Sequence, residues 1–290
     1  MRDMGNDVIN RLIAWAAREA CVRVMLLTSS RAGSGEPVDP FSDYDVILYV
    51  SDTAPLIGDD GWLRHFGTIL VMCRTHWEHN GTRQDTRLVR YDDGTRIDFT
   101  IAPVRILEQV LEEPALPAYL DIGYRVLLDK DDLTGRMLPP SYQGYIPRKP
   151  TEHEFQDLVQ GFWWDSTYVA KYLWRDDLFP AKYMLDCALK FDYLRRMLEW
   201  SIEIEHNWSL RPGSQGRYLK QRLPSESWSA IEATFVGADI DENWRALFRT
   251  CEVFRETALG VARHLGYEYP RELDANVTAY LRQCMALENE

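Results

Sequence analysis

Paired cysteines, a basic surplus and long apolar runs are all missing from this sequence. The five cysteines (Cys21, Cys73, Cys187, Cys251 and Cys284) are dispersed, with no C-x-x-C pair. An odd, scattered set fits reduced thiols, most of them buried, better than a disulfide framework or a zinc site. The formal net charge is −12. A phosphate backbone needs a basic surface, so no nucleic-acid partner is expected. A negative cleft instead steers a cationic partner, although the same charge also serves plain solubility. No apolar run exceeds about seven residues, against the ~20 needed to span a bilayer. The first residues, Met1-Arg-Asp-Met-Gly-Asn-Asp7, lack the basic and apolar regions of a signal peptide, so the expected location is the cytoplasm. A monomer is expected.

What is present is a folded-protein composition: 290 residues, 46% apolar and 12% aromatic, enough for two domains with separate cores. Asn6 to Glu19 reads as a helix capped at Asn6, with Val8, Ile9, Leu12, Ile13, Trp15 and Ala16 as its apolar stripe. Strands are expected at Val22–Leu27, Asp43–Val50, Thr68–Cys73, Thr86–Tyr91, Thr95–Ile101 and Tyr124–Asp129, with short helices at Trp62–Phe66 and Pro103–Glu112. The sequence Asp92-Asp-Gly94 is a strong hairpin turn. Residues 134–150, with Pro139, Pro140, Pro147 and Pro150, read as a linker. Beyond it, Thr151-Glu-His-Glu154 resembles a capping box. The periodicity is then helical over 153–174, 180–205, 226–235, 241–265 and 271–287. The expected fold is an N-terminal α/β (α+β) domain with a mixed sheet, residues 1–140, followed by an all-helical domain, residues 141–290.

Three features of the first domain point to one chemistry. Asp43 and Asp45 stand two apart at the start of a strand, so both carboxylates face the same side. Crowded like charges need a cation between them, and hard oxygen ligands suit magnesium. Asp98 alternates with Ile97 and Phe99, which puts it on the polar face of its strand. Ser29-Ser30-Arg31 follows an apolar strand as a turn whose N–H groups and hydroxyls can hold a phosphate. Three such carboxylates can hold two metal ions about 3.5–4 Å apart, and Asp98 can also accept a proton from an attacking hydroxyl. Taken singly, each feature is equally consistent with turn chemistry or a solvated strand face.

In this order the features resemble nucleotidyltransferases of the DNA polymerase β type. Phe41-Ser-Asp-Tyr-Asp-Val46, Arg96-Ile-Asp-Phe-Thr100 and the segment from Phe162 to Asp177, followed by Ala181-Lys-Tyr183, look more closely like the aminoglycoside (streptomycin) 6-adenylyltransferases. The resemblance runs from about residue 5 to 285. It implies transfer of AMP from ATP to a hydroxyl of an aminoglycoside, with pyrophosphate released and antibiotic resistance as the result. It also implies that Asp43, Asp45 and Asp98 hold Mg2+, that Asp98 is the base, and that Ser29, Ser30 and Arg31 meet the nucleotide phosphates. The family turn usually begins with glycine, and here Ser29 stands in that place; serine resists backbone geometries that glycine allows.

In the helical domain Lys171 and Lys182 are candidate phosphate ligands or snorkelling surface lysines. Trp163, Asp165, Tyr168 and Glu203 are candidate substrate contacts, with Glu199 and Glu205 as further acidic partners for a cationic ligand; core packing and a solvated helix face are the bland alternatives. His76-Trp-Glu-His79 lacks a third and fourth ligand for zinc. Asn80-Gly-Thr82 matches a glycosylation sequon that has no meaning in a cytoplasmic chain. Two other functions fit the same residues: nucleotidyl transfer to another small hydroxylated acceptor, and nucleotide binding without catalysis. A glycosidase fits poorly, because side-by-side carboxylates cannot flank a sugar.

Overall fold

A computed structural model describes residues 2–33 and 37–287, with side chains from residue 7 onward. Residues 34–36 of the expected loop lie outside the described part. The chain divides into two compact units, Met1–Tyr145 and Ile146–Glu290.

The first unit is built on a six-stranded sheet of β1 (Val22–Thr28), β2 (Tyr44–Val50), β3 (Ile69–His79), β4 (Thr82–Tyr91), β5 (Arg96–Pro103) and β6 (Tyr124–Asp129). Their spatial order is β3-β4-β5-β2-β1-β6. The β2/β5 pair is parallel and its neighbours are antiparallel, so the sheet is mixed. β1 and β2 are apolar at almost every position because both of their faces are covered. On one face Val8, Leu12, Trp15 and Ala16 of helix Arg2–Arg18 pack with Met25, Leu27, Val46 and Leu48. On the other, Ile106, Leu107 and Val110 of helix Val104–Glu112 pack with Val24, Leu26, Ile47 and Tyr49. Trp15 stacks on Trp62 with ring centroids 4.9 Å apart, and Phe99 meets Trp62 edge-on, also at 4.9 Å. Such contacts add about 0.5–1.5 kcal/mol per pair beyond burial. With Phe99 anchored there, strand alternation turns Asp98 to the opposite face.

Several boundaries differ from the sequence expectation. Helix Arg2–Arg18 starts upstream of Asn6, which therefore lies inside it rather than capping it. β3 and β4 extend beyond Thr68–Cys73 and Thr86–Tyr91, and they form a hairpin that turns at Asn80 (φ 46°) and Gly81 (φ 72°). Both residues take the left-handed conformation that a two-residue hairpin loop requires. The so-called sequon is that turn, and His76 and His79 are strand residues of the hairpin. The linker also starts later than its prolines suggest. Asp121 accepts backbone N–H bonds from Ser141 (2.6 Å), Gln143 (3.1 Å) and Gly144 (2.9 Å), tying this segment to the first unit.

The second unit is helical, with principal helices Glu152–Trp174, Arg195–Glu205, Ile240–Leu265 and Arg271–Ala286. The expected capping box forms: Glu154 N–H donates to Thr151 Oγ1 (3.2 Å), and Thr151 N–H donates to Glu154 Oε2 (2.8 Å). Between Leu178–Lys182 and Arg195–Glu205 the backbone is π-helical over Tyr183–Leu194, which periodicity alone does not reveal. The core is centred on Phe162 and Phe254, stacked at 3.7 Å and 5°. Among the described residues no helix is long and apolar enough to cross a membrane.

Candidate active site

Asp43 stands just before β2 and Asp45 within it, while Asp98 lies on the adjacent β5. The parallel register sets Asp45 directly opposite Asp98. One carboxylate oxygen from each of Asp43, Asp45 and Asp98 lies within 4.8 Å of the other two. No other such group of three or more possible metal ligands occurs among the described residues. All three are half-buried, and hard carboxylate oxygens at this spacing fit a divalent cation of the magnesium type.

The electrostatics are those of a site short of positive charge. Burial, and then repulsion from Asp43, push Asp45 up to about 6, while a hydrogen bond from the Ser29 hydroxyl partly offsets this. Burial also raises Asp98, against the pull of Arg96. Arg96 was not singled out from the sequence, yet it alternates with Asp98 on β5 and so shares its face. Its Nε and Nη2 donate to the two oxygens of Asp98 at 3.0 and 2.6 Å, and its Nη1 lies 3.4 Å from Asp43 Oδ2.

The small-residue turn is a short 3-10 segment, Ser29–Ala32. Ser29 has φ 60°, the left-handed region where glycine is at ease and serine is strained by about 1–2 kcal/mol. This turn brings the Ser29 hydroxyl to where it lowers the pKa of Asp45. Ser30 is half-buried in the same turn. The Arg31 guanidinium is turned toward the protein: its Nε and Nη2 donate to Ser42 O (3.1 and 2.8 Å), and Nε also reaches Asp43 O (3.0 Å). It stacks 4.0 Å from the Tyr44 ring centroid. Arg31 thus fixes the backbone that carries Asp43. A cleft of about 830 Å3 reaches the cluster through Arg96; its wall carries Arg11, Arg31, Arg90 and Arg96 together with Asp7, Asp39 and Asp93, and Phe41 and Tyr44 as aromatic lining, while the three carboxylates themselves do not line it.

The helical unit sorts its candidates by exposure. Trp163 is fully buried and its indole N–H donates to Tyr269 Oη (3.2 Å), so it is a core residue and offers no surface to a substrate. Glu203 is 1% exposed and accepts the Leu210 N–H at 3.1 Å, which makes it a structural cap rather than a substrate contact. Burial raises both Glu203 and Glu199, and Glu199 is held by Arg195 at 2.7 Å. Glu205 is exposed. Asp165 accepts the Tyr193 hydroxyl at 2.8 Å, and Gly161 makes room for that ring, since a Cβ there would lie 2.7 Å from it. Tyr168 and Tyr172 carry the Lys171 ammonium at 5.0 and 4.8 Å from their ring centroids. Lys182 is committed inside the unit, donating to Val236 O (2.9 Å) and pairing with Asp186 (2.7 Å).

Residues 1–284 match the streptomycin adenylyltransferase family. The chain belongs to that family. It is therefore a nucleotidyltransferase enzyme. It is 28% identical over 278 residues to an aminoglycoside 6-adenylyltransferase of Bacillus subtilis, covering 94% of this chain and 95% of that one. It is also 28% identical over 268 residues to one from Campylobacter jejuni (91% and 90% covered), and 25% identical over 280 residues to one from Staphylococcus aureus (95% and 96% covered). A crystal structure of an aminoglycoside 6-adenyltransferase from Bacillus subtilis matches with TM-score 0.48 and 26% identity, covering 97% of this chain and 98% of that one.

Proposed function

We propose that this enzyme transfers AMP from ATP to a hydroxyl of an aminoglycoside such as streptomycin, releasing pyrophosphate in the cytoplasm and so conferring resistance. The observation that carries this reading is the meeting of Asp43, Asp45 and Asp98 within 4.8 Å on neighbouring strands, in a family of adenylyltransferases. The carboxylates would hold Mg2+, which supplies charge neutralisation to the transferring phosphoryl group. Asp45 stands in β2 and Asp43 just before it, and the Arg31 clamp on the Ser42 and Asp43 carbonyls ties down the backbone that carries them. Asp98 is proposed to accept the proton of the acceptor hydroxyl once its bonds to Arg96 loosen. Ser29 and Ser30 are proposed to bring the nucleotide phosphates to the turn after β1. In the helical unit Asp165, Tyr168 and Lys171 are the proposed substrate contacts; Asp165 and Tyr168 suit a polycation.

The test is pyrophosphate release from protein, ATP and Mg2+ with streptomycin and a panel of other aminoglycosides. Release that depends on the antibiotic, together with a mass gain of one AMP on it, is expected. Silence across the panel, with AMP appearing instead on another hydroxylated metabolite, would move the acceptor to a different class.

A further inference from the structure

The Arg96 guanidinium lies among the three carboxylates in a way that conflicts with a filled cation site. Its fork takes both oxygens of Asp98 and its third nitrogen approaches Asp43. A divalent cation that uses Asp98 must share an oxygen with this fork and sit beside a fixed positive charge, and either is unfavourable in a half-buried setting. Asp43 and Asp45 carry no such fork; Asp43 meets Arg96 only at 3.4 Å.

A second observation gives Arg96 somewhere else to go. Arg96 also lines the 830 Å3 cleft. Arg31 in that wall is committed to the carbonyls of Ser42 and Asp43, and Arg90 to Gly94 O at 3.2 Å. Of these three, Arg96 is the one whose partners are the candidate metal-binding carboxylates. Arg96 therefore stands between the cleft wall, where four arginines outnumber three aspartates, and Asp98, so an anion that draws Arg96 into the cleft uncovers that carboxylate.

We propose that Arg96 is a positioning residue that holds Asp98 as an internal counter-ion and exchanges it for a phosphate of the incoming nucleotide. Asp98 then becomes a full ligand for a divalent cation only as the nucleotide arrives. This inference rests on the reading of the three aspartates as a cation site, and makes nucleotide and metal binding mutually reinforcing.

The experiment measures each ligand without the other, on wild type, Arg96→Gln and Arg96→Lys, with thermal melting as a check of folding. Mn2+ binding to nucleotide-free protein is followed by electron paramagnetic resonance. Binding of α,β-methylene ATP is followed by calorimetry in chelator. Arg96→Gln is expected to bind Mn2+ about tenfold tighter and the analogue about tenfold weaker. Arg96→Lys, which keeps the charge and loses the fork, falls between. A purely structural role would weaken both ligands. Mn2+ binding no tighter in Arg96→Gln, or unchanged affinity for the analogue, overturns the exchange. Absence of Mn2+ binding in every variant overturns the cation site as well. A failure to release pyrophosphate with aminoglycosides, with both binding shifts intact, counts against the acceptor alone.

Discussion

The carboxylate cluster of the sheet unit and the buried ion pairs of the helical unit treat charge in opposite ways, although the sheet unit has matched pairs of its own, such as Arg87 with Asp60 at 2.7 Å. In the helical unit buried ionic groups meet close partners of opposite charge at Asp274 and Lys190. Arg255 grips both oxygens of Asp274 at 2.6 Å, and Tyr269 and Thr278 complete that carboxylate's bonding. Lys190, whose pKa burial pushes down, donates to Asp186 (2.6 Å) and Thr234 O (2.7 Å). In the sheet unit three carboxylates crowd around one guanidinium, and burial and mutual repulsion leave Asp45 raised to about 6. Matched charge holds helices together, whereas unmatched charge marks the place where a ligand completes the structure.

The sharpest way to test that contrast is to neutralise one carboxylate in each unit. Asp45→Asn is expected to lower turnover at least a thousandfold, about 4 kcal/mol of transition-state stabilisation, while circular dichroism shows the fold intact. Asp274→Ala leaves Arg255 half-buried without its carboxylate, and is expected to cost about 3–5 kcal/mol in urea unfolding. Equal destabilisation by the two substitutions would erase the distinction between the units.

A pH series sharpens it further. The folded-state pKa of Asp45 is raised, so between 3.8 and about 6 the folded protein binds more protons than the unfolded chain. Its stability therefore declines as pH rises through that window and is flat for this group above it. Asp45→Asn lacks the decline. In chelator at pH 8 it is expected to be more stable than wild type by up to about 3 kcal/mol, with the gap closing toward pH 4. Added Mg2+ is expected to raise the melting temperature of wild type and not of Asp45→Asn.

The smallest effect concerns Ser29. Ser29→Gly relieves a left-handed serine but removes its bond to Asp45, two changes of about 1 kcal/mol in opposite directions. Net stability is expected to move by less than ~1 kcal/mol. The pH midpoint of the Asp45 transition is expected to move upward, because the bond that lowers it is lost.

Much of this was readable from period and composition. The apolar runs of β1, β2 and β5 announced strands, and two-residue alternation put Asp43 with Asp45 and oriented Asp98 correctly. Alternation alone could not say that β5 lies parallel to β2 with Asp45 opposite Asp98. That pairing depends on contacts over 53 positions of chain, the span from 45 to 98. Arg96 falls to the same alternation as Asp98, but alternation shows only a shared face and not that its guanidinium takes both oxygens of Asp98. Asn80-Gly81 carried a hairpin signal that its resemblance to a sequon obscured. Trp163 and Glu203 show where helical periodicity stops: it finds a stripe but not which neighbours deepen it. The late linker start depends on Asp121, whose role as a collector of N–H groups appears only once residues 141–144 have folded back onto it.

The parallel β2/β5 seam has a consequence for how the site comes into being. β1 and β2 are neighbours in sequence, and β3, β4 and β5 form a meander of successive hairpins. The meander closes through tight turns and β1/β2 through residues 29–43, whereas the seam pairs residues far more distant in the chain, such as Asp45 with Asp98. Asp43 and Asp45 belong to one half, Asp98 and Arg96 to the other. The charged cluster is thus absent from either half alone and assembles only when they dock. The repulsion among its carboxylates opposes that docking, and Arg96 brings the compensating charge along with Asp98. A cation or a nucleotide bound by the cluster would therefore hold the two halves together, as a ligand for the join itself.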